Sequence, residues 1–337
     1  MRLPDGQLYG TGDDYVGVFA FDPQTGRTTV LGPRPGHAPY THIVCGGKLY
    51  SSGYPGGQLF VYDPQRPWTF AKGGPPGRSS ANENHPATNP RRLGEFRETR
   101  VAIMHSSALG ADGKVYFGGF GERNYTGGGL GWYDTTSGKL DGFWKPLSGY
   151  AVHYIVPVLE GHQIVISTTT APSELKDNLM PEEAKLFLFD VAEGKIRREI
   201  APVANARTTG LIAEVAPGRL LGLTADREHP DRSILYGVDV TTGEVGFRKS
   251  FPSPVSTDAN WPHWVDPSYV YEHLTLGPDG FAWTYLQDVL VRIDPKDACI
   301  HVMGRVDPVG YPTFAGRDIY LSGSESLRRI RHIVETP

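Results

Sequence analysis

Residues able to move protons or hold anions recur at the edges of short apolar segments and in the longer connections between them. They run from Tyr40, His42 and Tyr54 through Asn82, Asn84, His85, Asn89, Arg91 and Arg92 to Arg100, His105, Arg123, Asn124, Tyr150 and His153. Arg207, Arg227, His229, Trp261, His263, Trp264, Tyr271, His273, Tyr285 and Tyr311 complete the set. An imidazole with a pKa near 6.5 serves as acid or base around neutrality, and a guanidinium pairs a carboxylate bidentately. Phenols and indoles join an apolar face to a polar tip. One His or Tyr at a strand start is more often a packing residue; several such types gathering on one rim are what mark a site.

Metal chemistry has thinner support. Cys299 and His301 alternate on one segment, with His273 upstream as a third ligand, whereas structural zinc takes four. The pair Asp13–Asp14 has the oxygen donors calcium uses, but a solvated acidic turn has the same composition. No metal site and no required cofactor are expected; a structural divalent metal is the most the pattern allows. Cys45 and Cys299 lie in distant repeats and are expected as free, buried thiols.

The positions of these residues follow from a repeat. An apolar strand, a Gly turn, a second apolar strand and an aromatic-rich strand ending in Asp recur along the chain. The third member reads FAFD-PQTG from Phe19, FVYD-PQRP from Phe60, GWYD-TTSG from Gly131 and LFD-VAEG from Leu188. Val238 and Val291 open VDV-TTG and VRID-PKD, and the first hairpin recurs as ALGADGKVYFGG, EVAPGRLLGLT, LTLGPDGFAWTY and FAGRDIYLSG. Such alternation between Gly, Asp and Pro turns is a strand signal. One short helix is expected over Pro181–Lys185.

The expected fold is all-β, a seven-bladed β-propeller of four-stranded antiparallel blades forming one domain over residues 1–337. Six units are clear and a seventh is expected to be completed between the two chain ends. The opening MRLPDGQLYG falls inside a repeat and is not a signal peptide, so a leader or first strand is expected to have been trimmed. With strands a to d running outward, ab and cd turns share one face and the da and bc connections the other. The ab and cd turns are short, so the site is expected on the da/bc face. The segment 73–99 is assigned to that face too.

Composition agrees and excludes some classes. The 337 residues include 42 Gly and 28 Pro with 11% aromatics, as many short strands and tight turns require. A net charge of -4 gives no basic face for nucleic acid, and no apolar run reaches the length of a membrane span.

ANENHPATNP, RVAIMHSSALGADGKVYFGG and LSGYAVHYIVP together resemble the seven-bladed propeller polysaccharide lyases that cut rhamnose–glucuronate linkages, the ulvan lyases among them. The resemblance places the family's Asn-His pair at Asn84 and His85, its second His at His105 and its Tyr at Tyr150. It implies β-elimination from a uronate glycan, with His85, His105 and Tyr150 catalytic, and a secreted or periplasmic location. Asn84, His42, Arg123, Arg207, Trp261, His263, Tyr271 and Tyr311 are the expected substrate-binding residues. The family's carboxylate-pairing Arg is missing from HQIVISTTT, His162 to Thr170, which leaves Arg207 or Arg123 for that role.

Two other readings stand beside this one. A non-catalytic carbohydrate- or protein-binding propeller would use Trp261, Trp264, Tyr271 and Tyr285 as stacking surfaces. A propeller hydrolase or lactonase would need an acidic metal cluster on the axis, and few carboxylates stand at strand starts.

Overall fold

The computed structural model describes residues 1–11, 17–36, 38–54, 56–70, 85–96, 101–121, 127–143, 147, 149–170, 181–226, 228–229, 231–252, 273–286, 289–306, 312–322 and 326–334. Its strands form seven antiparallel sheets, the blades of a ring. Blade 1 holds β1 (Leu8–Thr11), β2 (Val18–Phe21) and β3 (Thr28–Gly32). Blade 2 holds β4 (Ala38–Cys45), β5 (Lys48–Tyr54), β6 (Gln58–Tyr62) and β7 (Arg91–Glu95). Blade 3 holds β8 (Val101–Leu109), β9 (Lys114–Gly121), β10 (Gly128–Asp134) and β11 (Leu140–Phe143). Blade 4 holds β12 (Ala151–Val158), β13 (Gln163–Thr169), β14 (Leu186–Asp190) and β15 (Lys195–Ile200). Blade 5 holds β16 (Leu211–Ala216), β17 (Arg219–Ala225), β18 (Arg232–Asp239) and β19 (Val245–Pro252). Blade 6 holds β20 (Thr275–Leu276), β21 (Ala282–Leu286), β22 (Val289–Asp294) and β23 (Cys299–Arg305). Blade 7 holds β24 (Thr313–Ala315), β25 (Asp318–Ser322) and β26 (Leu327–Ile330).

The repeated Asp is a turn device. At the cd turns Asp22, Asp134, Asp190 and Asp239 accept the amide N–H of a residue four positions on, Gly26, Gly138, Gly194 and Gly243, at their own carbonyls. Those glycines have φ between +64° and +80°, which a side chain resists. Each carboxylate also accepts backbone N–H bonds inside its turn. The Thr25 hydroxyl on Asp22, the Ser137 N–H on Asp134 and the Thr241 hydroxyl on Asp239, with these backbone bonds, hold the three carboxyls below the usual carboxylate pKa. At the ab turns Asp112 and Asp279 reach forward to the Tyr116 hydroxyl and the Trp283 indole N–H.

Blades pack face to face through side chains of their middle strands. Tyr116, Ile164, Ile166, Phe187 and Phe189 fill the layer between blades 3 and 4. Leu220, Leu221, Leu223, Leu235 and Tyr236 fill that around blade 5. Each such side chain contributes roughly 1.5–3 kcal/mol on burial, so every blade needs its neighbours.

Three expectations change at this level. Met1–Leu3 runs antiparallel to β1 through the Arg2–Leu8 bridge and the Tyr9 N–H to Met1 carbonyl bond, so it fills the innermost position of blade 1. The sheets at the two chain ends are therefore separate, and neither completes the other among the described residues. Residues 181–185 are not helical; Lys185 is instead held to Thr168 through both its N–H and its carbonyl. Cys45 and Cys299 are free, though only half-buried.

Candidate functional site

The inner strands β8 and β12, and the residue before β20, bring His105, His153 and His273 near one another. His105 sits where the β8–β9 register skips, between Met104 paired to Gly119 and Ser106 paired to Gly118. His153 occupies the same kind of bulge in β12, between Val152 and Tyr154. A bulge re-aims the extra residue's side chain, and here it turns two imidazoles inward. His105 stacks on Phe120 at 4.1 Å and lies 5.9 Å from Tyr40 on blade 2. His153 packs on Tyr154, whose other contact is His273 of blade 6 at 4.9 Å.

His105 is 3% exposed, and neither of its ring nitrogens has a hydrogen-bond partner among the described residues. Burial, then the nearby His153 and His273, push its pKa down to about 3. It stays neutral in any near-neutral solution. His273 is pushed to about 3 by burial and then by His153. No group of three or more His, Cys, Asp or Glu side chains among the described residues is arranged to hold a metal ion.

A second cluster lies at the da/bc mouth between blades 4 and 5. Tyr150, immediately before β12, sets its ring edge-on to Phe187 at 5.0 Å. Burial raises its phenol pKa, opposed by the Lys185 ammonium and assisted by Glu199 and Glu183. Lys185 precedes β14 and pairs with Glu199 at 3.0 Å. Arg207 precedes the bridge that joins Thr208 to Thr169, and Thr169 in turn pairs with Ala151. Ala151 and Thr208 thus flank Thr169, with their Cα atoms about 10 Å apart.

The Thr168–Thr170 run has a structural role. Thr169 and Thr170 donate their hydroxyls to the Arg207 carbonyl and so fix its backbone. The exposed Arg207 guanidinium makes no hydrogen bond or ion pair among the described residues. Lys185 was not legible as a site residue, because only the folded bc loop brings it beside Tyr150.

The three expected catalytic residues have separate surroundings. His85 is exposed, and its Nδ1 accepts the Ala87 N–H. Its turn is tied by Asn89 to the carbonyls of Asp63, Arg66 and Pro67. That connection runs from β6 to β7, a cd connection, so His85 belongs to the face opposite the mouth. The assignment of residues 73–99 to the da/bc face is corrected to that extent. The reason is topological: the excursion joins blade 2's own third and fourth strands rather than blade 2 to blade 3. No hydrogen bond, ring contact or electrostatic coupling joins His85, His105 and Tyr150 among the described residues.

His42 bonds the Ser51 hydroxyl through Nδ1 and meets the Tyr9 ring at 5.7 Å, a packing role. The zinc set also separates. Cys299 and His301 are on β23, the outer strand of blade 6, while His273 precedes its inner strand; three strand spacings, about 14 Å, lie between. Asp13, Asp14, Asn84, Arg123, Trp261, His263, Tyr271 and Tyr311 lie outside the described residues.

The fold and this channel define the class: a seven-bladed β-propeller. The hydrazine synthase of Kuenenia stuttgartiensis is similar, with a TM-score of 0.65 at 12% identity over 99% of this chain and 95% of that one. The extracellular domain of the putative one component system BT4673 from B. thetaiotaomicron gives a TM-score of 0.55 at 12% identity, over 98% of this chain and 37% of that one. No family model matches the chain, and no curated protein does.

Proposed function

We propose that this propeller is a polysaccharide lyase that cleaves a uronate-containing glycan by β-elimination at the Tyr150 mouth. The observation that carries the reading is one phenol facing the Lys185 ammonium, which is paired with Glu199, with a second cation, Arg207, unpaired among the described residues on the neighbouring blade. A uronate C5 proton is weakly acidic until its carboxylate is neutralised, and cations aimed at that carboxylate stabilise the enolate-like charge that develops.

Because His85 and His105 stand apart from Tyr150, Tyr150 carries both proton transfers. As phenolate it takes the C5 proton; the C5–H electrons form the C4–C5 double bond, and the C4–O4 bond breaks. The resulting phenol then protonates the departing O4 oxygen. Lys185 and Arg207 hold the carboxylate. This is the role the resemblance assigns to an Arg that is absent from the segment His162 to Thr170. The chemistry needs no cofactor, and the polymeric substrate implies a secreted or periplasmic protein. Among the described residues no helix is long and apolar enough to cross a membrane.

The test is incubation of the purified protein with ulvan-type and rhamnose–glucuronate polymers, reading the far-ultraviolet absorbance of the unsaturated uronate. Binding without that absorbance, unchanged in Tyr150→Phe, would instead indicate a non-catalytic carbohydrate-binding propeller.

A further inference from the structure

A separate cavity of about 660 Å³ opens on the rim between blades 2 and 3, within the size range of small-ligand sites. β7 forms one wall and Tyr133 with the Gly138 turn the other. Asn89 fixes the approach to β7. It is 2% exposed, and its amide donates to three carbonyls while its oxygen accepts the Asp63 N–H. A bulge between the Leu59–Gly94 and Phe60–Arg92 pairs then sets the strand's side chains. The wall is built before any ligand arrives.

The charges in this wall do not cancel. Arg92 pairs with Glu95 at 2.7 Å, yet its buried Nε has no partner among the described residues. Arg91 makes no ion pair there, and its field reaches the Tyr50 phenol, which stacks obliquely against Tyr133 at 5.8 Å. Tyr133 is 7% exposed. Gly138 lies against it: a Cβ there would stand 3.7 Å from the Tyr133 hydroxyl, an ordinary contact. One net positive charge, a spare guanidinium N–H, a phenol and a mostly polar lining suit an anionic polyol. An apolar ligand would find little to bury against.

We infer that this cavity binds a uronate-bearing saccharide of one or two rings, with Arg91 on the carboxylate and Tyr133 on a ring hydroxyl. The site lies at the cd-turn side of the rim, away from Tyr150, and would hold an acidic glycan without cleaving it. The inference stands independently of the elimination chemistry.

Hydrogen-exchange mass spectrometry on the full chain tests it, with a disaccharide whose glucuronate is non-reducing and therefore has no O4 substituent to lose. Peptides covering Arg91–Glu95 and Tyr133–Gly138 should gain protection. Arg91→Gln should weaken the response at least tenfold, Arg91→Lys should restore part of it, and circular dichroism should show both variants folded. Protection should be unchanged in Tyr150→Phe, which separates failure of this site from failure of the lyase reading. No protection, an unchanged response in Arg91→Gln, or equal protection by the neutral glucosyl disaccharide or by inorganic sulfate would each overturn the inference.

Discussion

Tyr150 is the residue on which the chemistry turns. Burial keeps its phenol protonated near neutrality, so the reactive phenolate is a minor species that grows with pH. Below the phenol pKa, kcat/KM should therefore rise about tenfold per pH unit. A pH–rate profile checks this; a flat profile would contradict it. Tyr150→Phe should lower turnover by roughly 10²–10⁴-fold with the melting temperature little changed. Lys185→Gln and Arg207→Gln should each cost roughly 10²-fold in kcat/KM if their charges meet the carboxylate. A steady-state comparison of uronate and neutral polymers would show whether that loss is specific to the acidic substrate.

At the scale of the strand, the channel histidines depend on glycines. Gly118 and Gly119 face the bulge that carries His105, and a Cβ on Gly119 would lie 2.1 Å from the Ile103 carbonyl oxygen. Gly119→Ala should cost about 1–3 kcal/mol, seen in denaturant unfolding, and should move the His105 imidazole resonances. An unchanged midpoint would contradict the close approach. The Asp-to-Gly turn and the alternating strands were legible because each blade repeats the same local hydrogen bonds. The bulges were not, because one extra residue leaves the apolar alternation almost intact; a Gly pair inside FGGFG was the only sign. His85 was misplaced for a related reason: a long cd connection and a long da connection have the same composition. Tyr150 and Arg207 were legible from strand order, whereas Lys185 needed the folded loop.

For the whole ring, buried neutral histidine makes stability depend on pH. The pKa of His105 falls from 6.5 to about 3 on folding, so the native state binds its proton less readily than the unfolded chain. The stability is present above pH 6.5 and is lost as pH falls from there toward 3. One such group costs about 2 kcal/mol between pH 7 and pH 5. The lowered cd-turn carboxylates act in a more acidic window, below 3.8. His42 and His273 are lowered to about 3 by burial as well, so thermal unfolding should shift downward between pH 7 and pH 5, and His105→Gln should reduce that shift by its own share. Identical curves for the two proteins would contradict the assignment. The ring itself was legible from the repeat, but its seam was not. The start of the chain read as the middle of a repeat lacking its first strand, whereas Met1–Leu3 bridges to β1 through Arg2 and Leu8.

The claim that this ring is an enzyme meets its most direct test in one trace. Wild-type protein and Tyr150→Phe are each mixed with a rhamnose–glucuronate polymer, and far-ultraviolet absorbance is followed. A steady rise for the wild type, absent in Tyr150→Phe, is predicted. A flat wild-type trace on every uronate polymer tried, or equal rises in both proteins, would contradict it.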